Sequence, residues 1–222
     1  MLTRNQSVGR NDVPKARFTS LQYQLKALIE LGDEPKSVLE IGPGRGYFRV
    51  MGELLGYDVS TLDLDPENQP DYDCDIAELD MAGGFNVVCA FEVLEHMPYE
   101  SSLKMFTEML RLSSKWVVVS VPIKRNTWSL RVQIPERFIR RRFGTTWLRG
   151  GKYFSIRTEL PKRSDLSLPE EGNWKPHHWE LGRSSYPTGR LVRDLSNLGA
   201  TLVQQFTNPS HDYHEYFVFE KK

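Results

Sequence analysis

The feature that most constrains the fold is a glycine-rich turn between an apolar run and a helical pattern. Residues 38–41 are apolar except for Glu40, and a helical pattern follows over residues 47–55. Between them lie three alternating glycines, Gly42, Gly44 and Gly46. Glycine suits backbone that needs a positive φ or a close approach to a ligand, and such a turn before a helix N-terminus is a small-molecule cradle. The GxGxG spacing and Glu40 argue against a dinucleotide, whose turn reads GxGxxG.

Apolar runs and helical patterns alternate along most of the chain. Helical spacing of apolar residues predicts helices over residues 18–31, 99–112 and 188–198. The apolar run at 38–41 is the first predicted strand. Further apolar or β-branched runs predict strands at 57–64, 72–76, 85–90, 116–121, 201–206 and 213–220. This alternation indicates an α/β fold with a doubly wound, mostly parallel sheet and helices on both faces.

Two connections in this pattern are unusual. The joint at 207–212 is short and rich in turn residues, which predicts an antiparallel hairpin of the last two strands at the sheet edge. Between the second and third strands, residues 65–71 are too few for a helical crossover, which takes at least about ten residues. We therefore expect a loop there instead of a helix.

Length and composition are those of one soluble α/β domain. The chain has 222 residues, 29 Lys and Arg against 29 Asp and Glu, and a polar segment at 1–17 that predicts a mobile arm. Cys74 and Cys89 fall in or beside predicted strands, which is typical of reduced thiols. No apolar run approaches the roughly 18 residues of a membrane span, and no signal peptide is evident. These observations predict a cytoplasmic protein with a single domain over 1–222.

Acidic residues follow three predicted strands on one rim of the sheet. The carboxyl ends of parallel strands meet at this rim, where open α/β sheets bind ligands. Asp63 follows the second strand, so its carboxylate can accept hydrogen bonds from both hydroxyls of a ribose; a turn or helix-capping aspartate is the alternative. Asp75 can accept from an exocyclic amine while Ile76 packs against a purine. Phe91 and Glu92 occupy the corner after the fourth strand.

With these residues in place, the sequence resembles the class I S-adenosylmethionine-dependent methyltransferases, most closely their type 11 group. The resemblance rests on VLEIGPGRG at 38–46, LDL at 62–64, CDI at 74–76 and FNVVCAFEVLEH at 85–96. It implies a Rossmann-like, seven-stranded sheet whose last strand is antiparallel. The absent helix between residues 64 and 72 departs from the family pattern.

The resemblance implies S-adenosyl-L-methionine as the cofactor. The positions that match the cofactor-binding motifs are Glu40, Ile41, Gly42, Pro43, Gly44, Gly46, Asp63, Leu64, Asp75, Ile76, Phe91 and Glu92. Because the sulfonium is already activated, transfer needs mainly positioning, and a base only where the acceptor must lose a proton.

Candidates for that base are His96, His178 and Glu180. Helix-start capping is the alternative for His96, and lining of the acceptor pocket is the alternative for the other two. The remaining histidines, His211 and His214, match no standard metal-ligand spacing with the 177–178 pair, so no metal site is predicted.

Residues 123–176 interrupt the α/β pattern with a basic, aromatic insertion. Residues 124–163 hold twelve Lys and Arg against two acids, Glu136 and Glu159. We predict a lid over the rim, with an amphipathic basic helix over 134–148. The charge can attract an anionic acceptor, nucleic acid or an anionic membrane surface; a solvated face packed by its own aromatics is the alternative.

Three functions follow. The first is methyl transfer to a small or medium-sized acceptor, for which an anionic molecule is one option. The second is modification of RNA or protein that docks on the insertion. The third is a non-catalytic, Rossmann-like nucleotide-binding module.

Overall fold

The computed structural model describes residues 15–32, 37–124, 127–134, 152–159, 177–208 and 213–222. The chain divides into two compact units. One comprises Met1–Lys124 with Ser167–Lys222, and the other comprises Arg125–Leu166. The predicted mobile arm therefore lies mostly outside the described residues, and the first helix begins at Lys15. Among the described helices, none combines the length and the apolar character that crossing a bilayer requires.

Nine strands form in the described part of the chain. They are β1 (Ser37–Ile41), β2 (Asp58–Asp63), β3 (Tyr72–Asp73), β4 (Phe85–Phe91), β5 (Ser113–Pro122), β6 (Thr127–Ile134), β7 (Lys152–Glu159), β8 (Ala200–Thr207) and β9 (His214–Lys221). Seven of them make one sheet in the order β3-β2-β1-β4-β5-β9-β8. Neighbouring strands are parallel from β3 to β5, whereas β9 is antiparallel to both β5 and β8. The Rossmann-like sheet with an antiparallel last strand is confirmed, and β9 lies inside the sheet beside β8 at the edge.

Helices cover both faces of this sheet. They are α1 (Lys15–Ile29), α2 (Tyr47–Leu54), α3 (Tyr99–Leu112) and α4 (Thr188–Asn197). One buried cluster joins α3 and α4 to the sheet and includes Leu39, Val88, Phe106, Met109, Leu191 and Phe219. The other joins α1 and α2 to the opposite face and includes Leu25, Leu28, Val38, Phe48, Val87 and Val218. Alternate residues of β1 and β4 thus point to different faces, as the pleat requires.

The connection between β2 and β3 contains a single 3-10 turn, Pro66–Asn68, and no α-helix, as predicted. Asp71 holds this short loop against the sheet. Its Oδ2 atom accepts hydrogen bonds from the backbone N–H of Thr61 at 2.9 Å, from the Thr61 hydroxyl at 3.0 Å and from Arg49 at 2.8 Å. These bonds fix the rim of the sheet without a packed crossover helix.

The chain leaves the sheet after β5 and returns to the same point. The backbone N–H of Lys124 donates to the Leu181 carbonyl at 2.8 Å, and the Leu181 N–H donates to the Pro122 carbonyl at 3.0 Å. Gly182, at a φ of 81°, lies so close to the Lys124 carbonyl that a Cβ atom would overlap it. Both ends of the intervening segment are therefore joined in the first unit.

The second unit contains an antiparallel hairpin of β6 and β7. Its register runs from Thr127 opposite Glu159 to Ile134 opposite Lys152. The predicted basic helix over 134–148 starts on the last residue of β6 and otherwise lies outside the described residues. The sequence patterns indicated neither strand of this hairpin, 127–134 or 152–159.

Candidate active site

The glycine turn after β1 needs glycine for two separate reasons. Gly42 has a φ of 68°, in the left-handed region that side chains disfavour. A Cβ atom on Gly42 would also lie 2.8 Å from Cγ2 of Val93, in the loop that follows β4. The Gly42 N–H donates to the Leu62 carbonyl at 2.9 Å, which ties the turn to the end of β2. Three strand ends thus meet closely at Gly42.

A cavity of about 1150 Å³ opens at this rim of the sheet. Nine predicted site residues line it: Ile41, Gly42, Gly44, Asp63, Leu64, Asp75, Ile76, Glu92 and His96. Six predicted residues do not: Glu40, Pro43, Gly46, Phe91, His178 and Glu180. The sequence patterns missed the wall that α3 supplies, which includes Ser101, Lys104, Met105, Thr107 and Glu108. The amphipathic spacing of α3 indicates a buried face but carries no signal for a ligand.

Asp63 lies at the end of β2 with its carboxylate already oriented. Its Oδ1 atom accepts from the backbone N–H of Asp65 at 3.0 Å, and its Oδ2 atom accepts from the Asn68 side-chain amide at 2.8 Å. A carboxylate has about four lone-pair sites, so each oxygen can accept another hydrogen bond. Asn68 also lines the cavity and was not predicted. A pair of hydroxyls placed here would meet a preorganised acceptor.

Asp75 combines a structural role with a position in the cavity wall. Its Oδ1 atom accepts from the N–H of Ala77 at 2.9 Å, which caps the 3-10 turn Ile76–Glu78. Glu78 completes a capping box with the Asp75 backbone. One carboxylate oxygen of Asp75 therefore holds the turn, and Ile76 offers an apolar surface beside it.

Glu40 is a buried carboxyl group directly behind the glycine turn. The residue is only 5% exposed, and its Oε2 atom has no hydrogen-bond partner among the described residues. Burial raises the pKa of Glu40 to about 8, although the positive charge of Arg49 opposes this effect. Glu40 is therefore mostly neutral at pH 7 and can respond to a cation placed near the turn.

Glu92 adopts an unusual backbone conformation where β4 meets the cavity. Its φ is 60°, and few non-glycine residues adopt such values. The Ser20 hydroxyl of α1 donates to Oε1 of Glu92 at 2.8 Å, and Nε2 of His214 in β9 lies 3.5 Å from Oε2. Contacts from both α1 and β9 thus hold this carboxylate at the cavity wall.

A second group of polar side chains lies next to His96, which lines the cavity. It consists of His177, Glu180 and Arg183. His177 places Nδ1 3.2 Å from Oε1 of Glu180, and Arg183 donates to Oε2 of Glu180 at 2.9 and 3.2 Å. Burial raises the pKa of Glu180, but the hydrogen bonds from Arg183 and His177 outweigh it and hold that pKa below its usual value. The His96 and His177 rings meet edge to face, with centroids 5.0 Å apart.

The two histidines at 177 and 178 have different environments. His178 is exposed, and its backbone N–H donates to the Glu95 carbonyl at 2.8 Å. His177 is the member of the pair that contacts Glu180. Of the three predicted base candidates, His96 alone lies in the cavity wall formed by the described residues.

Comparison with known proteins identifies the family. A family model described as a methyltransferase domain matches residues 15–162, well over half of the chain. The chain belongs to this methyltransferase-domain family. The expected class I methyltransferase resemblance is thereby confirmed. Among the curated proteins, none matches the chain.

Solved structures similar to this methyltransferase-domain chain share its fold. Magnesium protoporphyrin IX methyltransferase from Synechocystis PCC 6803, with bound SAH, has a TM-score of 0.58 at 13% identity, over 96% of this chain and 90% of that one. The glycopeptide N-methyltransferase MtfA, complexed with (S)-adenosyl-L-methionine, has a TM-score of 0.58 at 12% identity, over 91% and 94%. The 1,6-didemethyltoxoflavin-N1-methyltransferase from Burkholderia thailandensis has a TM-score of 0.57 at 16% identity, over 93% of this chain and 78% of that one.

Proposed function

We propose that the protein transfers a methyl group from S-adenosyl-L-methionine to a small-molecule acceptor. The observation that carries this proposal is the single cavity that collects the glycine turn, Asp63 and the Asp75–Ile76 pair. These are the positions that match the cofactor-binding motifs of class I methyltransferases. Membership of the methyltransferase-domain family and the SAM- or SAH-bound structures that share the fold support the same cofactor.

Each part of the cofactor has a chemically matched group in the cavity or behind it. Asp63, held by Asn68, accepts the two ribose hydroxyls. The free oxygen of Asp75 accepts from the adenine amine, and Ile76 packs against the purine face. The amino-acid and sulfonium end lies over the glycine turn, where the positive charge favours the ionised form of Glu40. Glu92 and Leu64 line the same cavity, whereas Phe91 is buried beneath the rim.

The size of the cavity supports a small acceptor. Pockets for one drug-sized ligand have volumes of about 300–1000 Å³. A cavity of about 1150 Å³ therefore holds the cofactor with space beside it. Lys104 in the α3 wall adds a cation that suits an anionic acceptor. Methyltransferases with this fold include enzymes named for a porphyrin, a toxoflavin precursor and a glycopeptide.

The reaction is an in-line displacement at the methyl carbon. The bond from that carbon to sulfur breaks, a bond to the acceptor atom forms, and S-adenosylhomocysteine leaves. When the acceptor is an O–H or N–H group, its proton must also leave, and His96 in the cavity wall is the base within reach. Glu180 accepts from Arg183 and His177, so its role is to position His177.

Calorimetric titration of the full chain with S-adenosylmethionine, S-adenosylhomocysteine and NAD tests the cofactor assignment. We expect the first two to bind and NAD not to bind. Asp63→Ala should weaken S-adenosylmethionine binding by more than about 1 kcal/mol, or roughly fivefold, because charge-assisted hydrogen bonds are lost. Asp58→Ala is the matched control at the other end of β2, and its affinity should equal that of the wild type. Absence of binding by both sulfur compounds would refute the proposal.

Modification of RNA or protein through the basic segment 124–163 is the competing hypothesis. Most of that segment lies outside the described residues, so the support for this hypothesis is the segment's positive charge alone. Retention of RNA that weakens steeply with salt, together with methyl transfer to RNA, would favour it over a small acceptor.

A further inference from the structure

Glu95, His96 and His177 form a compact cluster of metal-binding groups beside the cofactor cavity. One ligand atom from each side chain lies within 4.8 Å of the others. Glu95 and His96 belong to the 3-10 turn Leu94–His96 after β4, whereas His177 comes from a segment about eighty residues later. Glu95 and His96 are adjacent in the sequence, whereas the fold brings His177 to them from a distant position.

The fold holds the second segment firmly in place. The backbone N–H of His178 donates to the Glu95 carbonyl at 2.8 Å, so a hydrogen bond joins the two segments that carry the cluster. Trp179 is fully buried and donates from Nε1 to the Ser102 hydroxyl of α3 at 3.1 Å. His177 therefore projects from an anchored backbone, as a preorganised ligand must.

His177 is oriented in the way that metal-binding histidines are oriented. In such histidines one ring nitrogen binds the metal, and the N–H of the other donates a hydrogen bond to a carboxylate or carbonyl, which fixes the tautomer. Nδ1 of His177 lies 3.2 Å from the Glu180 carboxylate, and Arg183 holds that carboxylate on its other side. An ionised carboxylate only accepts, so Nδ1 of His177 carries the proton and Nε2 has its lone pair available.

Glu95 provides the second, independent observation. The residue is 1% exposed, yet its Oε2 atom has no hydrogen-bond partner among the described residues. A buried carboxylate oxygen without a hydrogen-bond partner is costly, and buried carboxylates are normally paired or bound to a metal. A cation at this position would satisfy Oε2.

We propose that Glu95, His96 and His177 bind one divalent transition-metal ion at the edge of the cavity. Two imidazoles and one carboxylate suit ions such as Zn²⁺, Mn²⁺ or Fe²⁺ better than Ca²⁺. Tetrahedral ligands at about 2.1 Å from a metal are about 3.4 Å apart, so the side chains must move inward by about 1 Å or more. His96 and His177 are only partly buried.

The proposed ion would adjoin the acceptor space because His96 lines the cavity. An ion with open positions there would bind an acceptor oxygen and lower the pKa of its proton, which would then pass to solvent. With the ion bound, His96 would serve as a ligand and not as the base. This use of the ion depends on the methyltransferase function proposed above. Binding of the ion does not, because the cluster is complete without cofactor or acceptor.

The test is metal binding by the full chain in the absence of cofactor. The protein is treated with EDTA, dialysed and titrated with ZnCl₂ by calorimetry, and Co²⁺ is followed by its visible absorption. We expect one ion per chain. His177→Ala and Glu95→Gln should abolish this binding, and Glu180→Gln should weaken it by about 10- to 100-fold. Circular dichroism and the melting temperature show whether each variant is folded.

His178→Ala is the matched control, since it removes the adjacent, exposed histidine and leaves the cluster intact. It should bind Zn²⁺ as the wild type does. Absence of binding by Zn²⁺, Co²⁺ and Mn²⁺, or binding that survives in folded His177→Ala, would overturn the proposal. If Glu95→Gln fails to fold, His177→Ala decides the question, because its side chain lies near the surface. Titration of the same samples with S-adenosylmethionine tests the proposed function separately, because binding of the cofactor and binding of the metal ion can each fail without the other.

Discussion

The buried carboxyl of Glu40 makes a quantitative prediction about stability. Because burial raises its pKa from 4.5 to about 8, the folded protein keeps the Glu40 proton at pH values where the unfolded chain has lost it. The unfolded state then binds fewer protons, so the free energy of unfolding falls as pH rises from 4.5 to about 8. The stabilisation is complete below pH 4.5 and is lost through the pKa of the folded state.

The size of this effect follows from the same pKa. Each pH unit between the two values costs about 1.4 kcal/mol, which sets an upper limit of about 5 kcal/mol over the whole range. Between pH 5 and pH 7 the expected loss is about 2–3 kcal/mol. Glu40→Gln keeps the shape of the side chain but cannot ionise, so the variant should lack this loss. It should be more stable than the wild type at pH 7 by a similar amount.

Urea unfolding of the cofactor-free wild type and of Glu40→Gln, at pH 5, 6, 7 and 8, measures the effect. Other groups titrate in both proteins, so the decisive quantity is the difference in unfolding free energy between them at each pH. Glu100→Gln is the control, because Glu100 is an exposed acid in the first turn of α3. A difference between wild type and Glu40→Gln that stays constant across this range would refute the reasoning.

Three further substitutions test packing at the glycine turn and beneath α3. Gly42→Ala places a methyl group 2.8 Å from Val93 in a left-handed conformation, so it should lose about 1–3 kcal/mol of stability and weaken S-adenosylmethionine binding. Adding Val93→Ala should recover part of the lost stability, measured by denaturant unfolding, and part of the lost affinity, measured by calorimetry. No recovery in the double variant would contradict the proposed clash. Trp179→Ala should cost about 3–5 kcal/mol in thermal or urea unfolding, because a fully buried indole and its bond to Ser102 are removed. Exposed Leu54→Ala is its control.

Much of the fold was predictable because its signals are local. The amphipathic spacing of α3 gave its observed bounds, Tyr99–Leu112, and the apolar runs of β4 and β5 are buried on both faces of the sheet. The strands at 127–134 and 152–159 were missed because neither contains a continuous apolar run.

The site was predictable only where topology determines it. Asp63, Asp75 and the glycine turn follow strand ends, so a parallel sheet must bring them to one rim. Asn68 and Lys104 reach the cavity through a loop and a helix face whose positions depend on tertiary packing. The choice between His177 and His178 was beyond the sequence, because their segment is not regular and has no period that assigns a face.

The hydrogen bonds that join Pro122 and Lys124 to Leu181 have an evolutionary consequence. A segment whose two ends are fastened to each other adds little strain when its length or sequence changes, since loop closure depends only weakly on length. Residues 125–176 can therefore be lengthened, shortened or replaced by mutation while β5 and the rim keep their geometry. Such changes would leave the cavity residues at the ends of β1, β2 and β4 in place.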